Sequence, residues 1–312
     1  MKKSFILTND VELTSIVNHT QSIDTGRLVA DKAIPSALEL YDDLKLKSTF
    51  FITGDFAESF PEAVKLIYDN GHEIGSHGLT HNHLLSFDGM IFEKQAEHLA
   101  SAKKILEGII NDEVISFRAP ALRTNSDTLI ALRQTGFKID SSIASQRFDF
   151  FLSLGASEKR KWLKAPRKPY FTKENDLSRK GGSPLFEIPV SAFIMPYIGT
   201  TMRIIPLLNK LLRYLLYVET IYTGRPFNFL IHPVEMILED RINEKISRRS
   251  KNYIKYLLTD VARHKLKQKN LGGQCVALLK KEIAFFKKRG FEFISCREYY
   301  ERTAAKNITG NH

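Results

Sequence analysis

Four of the nine histidines in this 312-residue chain, His72, His77, His81 and His83, fall within residues 71–84, GHEIGSHGLTHNHL. In helical geometry His77 and His81, four positions apart, share one face and present two imidazole nitrogens to a single metal ion. Imidazole suits zinc, cobalt, nickel or iron. A catalytic metal site normally adds a carboxylate and keeps one position open for water. The same spacing also fits a polar turn whose histidines face solvent, so the rest of the chain has to supply the other parts of a site.

Periodicity places those parts. Apolar, aromatic and β-branched runs predict strands at 5–8, 48–53, 72–76, 114–117, 137–140, 185–190, 227–231 and 291–295. Helical periodicity fills 29–46, 61–70, 86–110, 126–135, 202–219 and 297–305, with a loop at 13–26. Strands that alternate with helices predict an α/β fold, a distorted (β/α) barrel or open sheet of seven or eight mostly parallel strands in one domain over 1–312. An irregular insertion is expected at 141–184 and a basic helical part at 239–290, broken at Gly272-Gly273. Asp10, His77, Arg118, Asp140 and His232 each fall at or just past the end of a different expected strand, the end that carries active sites in α/β barrels.

Composition narrows the class. Hydrophobic content of 43% and charged content of 26% are those of an ordinary globular chain, and no apolar run reaches eighteen residues. MKKSFILTNDVE is too short for the apolar core of a signal peptide, and two cysteines make no disulfide framework, so a cytoplasmic location is expected. Charge is uneven. Residues 1–150 carry 15 Lys+Arg against 21 Asp+Glu, and residues 151–312 carry 31 against 14. The basic half suits an acidic partner such as phospholipid headgroups or a phosphate-bearing substrate, or is simply a solvated surface. No nucleic-acid-binding signature accompanies it, so no nucleic-acid partner is expected.

The ordered segments LTNDVE (7–12), STFFITG (48–54), SHGLTH (76–81), SFRAP (116–120), KIDSS (138–142) and LIHP (230–233) together resemble the polysaccharide deacetylases, the NodB-homology hydrolases of carbohydrate esterase family four. The resemblance implies a metal-dependent hydrolase that removes an N-acetyl group from a sugar of a glycan or glycan precursor. Position by position it implies His77, His81 and a carboxylate as ligands of a divalent transition metal, zinc first and cobalt, nickel or iron as alternatives. It implies Asp10 as general base, Arg118 as its partner, the Ala121 backbone N–H as an oxyanion donor, and His232 as general acid, oriented by Asp140. The usual first motif has two adjacent aspartates; here it is Asn9-Asp10-Val11-Glu12, which looks like a cytoplasmic subgroup with spaced carboxylates. Strand alternation puts Asp10 and Glu12 on one face, so Glu12 is the expected ligand and exchanged roles are the alternative. Ala121 stands where secreted members often have tyrosine. His19 lies in the loop after the first strand, and His72, His83 and His98 are expected to be structural or exposed.

The expected substrate is an N-acylated sugar or glycan on a nucleotide or lipid carrier. The apolar stripe over 202–217, with Arg203, Lys210 and Arg213, suits either a buried core helix or the inner face of a membrane presenting a polyprenyl-phosphate-linked sugar. Two further readings stand beside this one: a deformylase or cyclic-amide hydrolase, and a metal-free glycan-binding protein on the same fold.

Overall fold

The computed structural model describes residues 3–16, 20–82, 85–146, 162–238 and 261–309. All eight expected strands form, several of them shorter than their apolar runs: β1 (Lys3–Val11), β2 (Thr49–Ile52), β3 (Glu73–Ser76), β4 (Ser116–Phe117), β5 (Ile139–Asp140), β8 (Phe186–Glu187), β11 (Phe227–Ile231) and β12 (Phe291–Ile294). They pair in parallel in the order β11-β1-β2-β3-β4-β5-β8, and β12 joins the first half of β1. The result is an α/β fold built on one curled, mostly parallel sheet.

Alternation along β1 sorts its side chains between two layers. Phe5 and Leu7 join the large outer core under the helices, where Phe5 meets Phe286 at 4.6 Å and Phe293 at 4.7 Å between ring centroids. Ile6 points the other way, into a small inner cluster with Phe51, Ile115, Ile139, Phe186, Ile188 and Ile294. Thr8 and Asp10 continue that inner row, and the polar groups therefore gather at one end of a dry plug.

The curl closes through Asn228 and Ser191. Among the described residues β8 and β11 share no ladder, yet Asn228 of β11 donates from Nδ2 to Ile188 O and to Ser141 Oγ, each at 2.9 Å. Its own N–H donates to Ser191 Oγ at 3.0 Å, and its carbonyl accepts from Ser191 N–H at 2.9 Å. Asn228 thus satisfies the backbone that the missing ladder leaves unpaired.

Several expectations change here. Helix begins earlier than 29: Ile23–Leu28 runs through a π turn at Val29–Ala33 into Ile34–Asp43. The helix expected from 86 starts at Phe92, and Gln95 Nε2 ties the preceding turn to it, donating to Phe87 O at 3.0 Å and Met90 O at 2.9 Å. The insertion at 141–184 is not irregular throughout. It holds an antiparallel hairpin, β6 (Tyr170–Lys173) and β7 (Asp176–Lys180), with β6 also antiparallel to β8; residues 147–161 lie outside the described residues. A second small hairpin, β9 (Ala192–Phe193) with β10 (Met195–Pro196), follows. The 202–219 stripe is two helices, Gly199–Ile204 and Pro206–Thr223, split where Pro206 begins a new first turn. Of the two readings of that stripe, Arg203 and Arg213 follow the buried one: Arg203 pairs with Glu235 and Arg213 with Glu282 at 3.1 Å. Of the basic stretch at 239–290 the structure describes the helices Ala262–Gln268 and Gly273–Lys287, and 239–260 lies outside the described residues.

Removing the seam residue tests this closure. Asn228→Ala removes both cross-seam Nδ2 bonds, to Ile188 O and to Ser141 Oγ, and should cost about 1–3 kcal/mol. Urea denaturation should show a lower midpoint, with helix and strand content unchanged by circular dichroism.

Candidate active site

Arg118 holds the site together from below. It follows β4 and is fully buried, so its charge has to be met by polar groups. Nη1 donates to Asp10 Oδ1 and to Thr8 Oγ1, each at 2.8 Å; Nε donates to Ser141 O at 3.0 Å and Nη2 to Ser141 Oγ at 2.8 Å. The Phe51 ring lies 4.4 Å from the guanidinium carbon. Burial pushes the Asp10 carboxyl upward. The Arg118 guanidinium outweighs it, helped by His77 and His232, and the net shift is downward. Asp10 is held as a carboxylate.

The two histidines arrive without a helix. β3 ends at Ser76, and the chain then turns through Gly78 with φ of +75°. Two backbone bonds pin this loop to the start of the Gly54–Ser59 helix: Gly54 N–H to Gly78 O at 2.9 Å and Asp55 N–H to Leu79 O at 2.8 Å. His77 is buried and its Nδ1 lies 2.7 Å from Arg118 O. A carbonyl can only accept, so Nδ1 carries the proton and the Nε2 lone pair faces the site. Burial lowers the pKa of His77 against the pull of Asp10 and Glu12, which keeps the ring neutral, as a metal ligand must be. The His77 and His81 ring centroids are 5.7 Å apart.

Glu12 completes the set. One ligand atom from each of Glu12, His77 and His81 lies within 4.8 Å of the others. His81 Nδ1 is 3.2 Å from Glu12 Oε2, which also accepts from Thr14 Oγ1 at 3.1 Å. Asp10 stands beside this set rather than in it, with Oδ1 engaged by Arg118 and Oδ2 3.9 Å from His77 Nε2. Asn9 turns the opposite way, its Oδ1 accepting from Tyr41 O–H at 2.7 Å in the outer layer. Two imidazoles and a carboxylate suit a borderline transition metal.

His232 follows β11 with its side chain 24% exposed and Nε2 3.9 Å from Glu12 Oε1. The acid beside it is Glu235, not Asp140. Glu235 lies three residues on, in the 3₁₀ turn Pro233–Met236, with Oε1 3.8 Å from His232 Nδ1. It is buried, accepts from Thr200 Oγ1 at 2.8 Å and pairs with Arg203 Nη2 at 3.3 Å. Arg203 in turn donates to Lys267 O at 2.9 Å and Lys269 O at 2.6 Å. Burial disfavours the His232 imidazolium, but Glu235 in front, with Asp10 and Glu12, raises its pKa to about 9. Gly199 makes room, since a Cβ there would collide with Glu235 and Ile231. The only sequence signal for Glu235 was a carboxylate one helical turn after His232-Pro233.

Asp140 takes a different partner. It accepts from Ser142 Oγ at 2.6 Å and faces Glu187 across the β5–β8 register, and Glu187 accepts the Ile143 N–H at 3.1 Å. Burial raises both carboxyls; the Asp140 charge raises Glu187 further, whereas the hydrogen bond from Glu187 pulls Asp140 back down. Ala121, the expected oxyanion donor, sits exposed at a corner where it and Leu122 adopt φ of 52° and 54°. Consecutive left-handed non-glycine residues cost about 1–2 kcal/mol each, strain of the kind that collects at functional loops. His72 is buried against Ser48 Oγ at 3.0 Å and His98 is buried on the Phe92–Ile110 helix; His19 and His83 lie outside the described residues.

Residues 19–139 match the family model described as polysaccharide deacetylase. The match covers 121 of the 312 residues, so the likeness to that family is shown over this stretch. His77, His81, Arg118 and Ala121 lie inside it, whereas Asp10 and Glu12 precede it and Asp140 and His232 follow it. A peptidoglycan deacetylase of Helicobacter pylori is 26% identical over 151 residues, 46% of this chain and 50% of that protein. A peptidoglycan-N-acetylglucosamine deacetylase of Bacillus cereus is 30% identical over 104 residues, 33% of this chain and 47% of that protein. The chain therefore spans half or less of the length of these curated relatives. The fold matches the crystal structure of a polysaccharide deacetylase, so described as putative, from Mycobacterium smegmatis with a TM-score of 0.61 and 17% identity, covering 98% of this chain and 91% of that one.

Two measurements check the electrostatics of this site. Zinc titration of the wild type should saturate at about one ion per chain; Glu12→Ala or His77→Ala should weaken binding more than about 100-fold, and Asp10→Asn should leave the stoichiometry unchanged. In metal-free protein the His232 ring protons should titrate near 9, and added zinc should move that midpoint down. The sign follows from the raised pKa: the favourable charge interaction is full below the unfolded value of 6.5 and is lost as pH rises through about 9. A midpoint at the free-imidazole value would refute the role given to Glu235.

Proposed function

We propose that the chain is a metal-dependent hydrolase that removes the acetyl group from an N-acetylated amino sugar. One observation carries this reading: three convergent ligand atoms from Glu12, His77 and His81, flanked by a separately held carboxylate, Asp10, and by His232. A divalent transition metal bound by those three side chains, zinc before cobalt, nickel or iron, would polarise an amide carbonyl and acidify water. Asp10, kept ionised by Arg118, accepts the proton of the attacking water. The new bond joins the water oxygen to the acetyl carbon, and the carbon–nitrogen bond breaks. His232, kept protonated by Glu235, gives its proton to the departing amine. Acetate and a free amino sugar leave.

The family match supports the reaction class, and the printed activities of the Helicobacter and Bacillus relatives support a sugar amide as substrate. The separation of Asp10 from the ligand set supports the division of labour between base and ligand. The assay includes formylated as well as acetylated amino sugars.

Acetate release from N-acetylglucosamine oligosaccharides tests the proposal. Activity should disappear with a chelator and return with zinc or cobalt. Asp10→Asn should lower kcat by about 10²–10⁴ while zinc stays bound. A zinc-loaded protein that frees neither acetate nor formate from any acylated amino sugar would leave a metal-binding protein on this fold.

A further inference from the structure

We propose that the outer face of the helix Pro206–Thr223 docks the protein on an anionic phospholipid bilayer. This helix is apolar on two sides. Its inner side buries Leu212 and Leu216 in the core. Its outer side leaves Leu207, Leu211, Tyr214, Leu215, Val218 and Tyr222 exposed, Leu207 by 83% and Tyr222 by 85%. Those positions recur at helical spacing over four turns and so form one continuous stripe. Single exposed apolar residues are ordinary; a contiguous stripe on a water-facing helix marks an interaction surface. The stripe widens at the β9–β10 hairpin, which packs against this helix and exposes Phe193 by 37% and Ile194 by 57%.

Charge around the stripe selects the partner. Lys210 is exposed on it, and the helix's one carboxylate, Glu219, is occupied by Arg167 and Arg225. At the Leu207 end Lys269 is exposed and reaches Ile204 O with Nζ at 2.8 Å, and exposed Lys265 precedes it on the adjoining helix. An apolar strip edged by lysines is the pattern that interfacial helices present to acidic headgroups, and Tyr214 and Tyr222 suit the boundary between chain and headgroup. If two copies met stripe to stripe, the helix's own carboxylate, Glu219, would already be held by Arg167 and Arg225. No described helix is long and apolar enough to cross a membrane, so the contact is with the surface.

Sedimentation of the full chain with phosphatidylcholine vesicles, with and without phosphatidylglycerol, tests this independently of any enzymatic activity. Binding should require phosphatidylglycerol and weaken at least about tenfold in high salt. The variant Leu211→Gln/Val218→Gln should lose at least about tenfold in affinity with its thermal melt unchanged, because both side chains already face water. Lys265→Gln and Lys269→Gln should each cost about fivefold. Failure of the wild type to bind anionic vesicles overturns the proposal, as does binding unaffected by the Leu211/Val218 change. A dimer that this same variant dissolves, without vesicle binding, would assign the face to a second copy instead.

Discussion

A charge in the interior has to be answered from every side, and Arg118 answers to three strands at once. Its guanidinium binds Asp10 and Thr8 on β1 and Ser141 just past β5, while its own backbone follows β4 and its carbonyl receives the His77 ring. A buried cation that lost its carboxylate would cost about 3–5 kcal/mol, so these elements cannot shift independently. The same bonds do chemical work. They keep Asp10 ionised, fix its direction and fix the tautomer of His77. The protonation of Asp10 and the tautomer of His77 are therefore set by one residue, through its guanidinium and its carbonyl, that itself never approaches solvent.

The opposite wall is built on a parallel plan with the charges reversed. There the buried anion is Glu235, neutralised by Arg203, and it acts on His232 from the solvent-remote side. One wall favours a carboxylate at Asp10 and the other an imidazolium at His232, with Glu12 between them. This places a proton acceptor and a proton donor at neutral pH on either side of one small space, the arrangement that amide hydrolysis requires.

Much of this was legible in the sequence, and the limits follow from physics. The eight strands were legible because Phe, Ile, Val and Thr concentrate in runs that only a buried sheet accommodates. Asp10, Glu12, His77 and His81 were legible because they sit at strand ends in a recognisable order. The partner of His232 was not. Asp140 and Glu235 are both acids near strand ends, and only the curl of the sheet decides which carboxylate reaches the ring. That curl sets β5 against β8, turning Asp140 toward Glu187, and the 3₁₀ turn after β11 carries Glu235 back onto His232. Helical spacing of His77 and His81 was the wrong reason for their convergence; a loop pinned by Gly54 and Asp55 brings them together instead.

The stripe at 202–219 shows the same limit from the other direction. Its apolar periodicity suited a core helix and an exposed one equally, and the structure makes the helix Pro206–Thr223 both. The arginines that suggested a cationic surface turned inward: Arg213 to Glu282, and Arg203, on the preceding helix, to Glu235. Sequence alone cannot separate these outcomes, because a long guanidinium can pair with a buried acid or snorkel to water from the same position. What separates them is whether a carboxylate waits on the inner side. Here Glu235 and Glu282 both do, and so the outer stripe is left almost free of charge. With Arg213 turned in to Glu282 and Glu219 held by Arg167 and Arg225, Lys210 is the one free charge that the outer stripe of that helix presents.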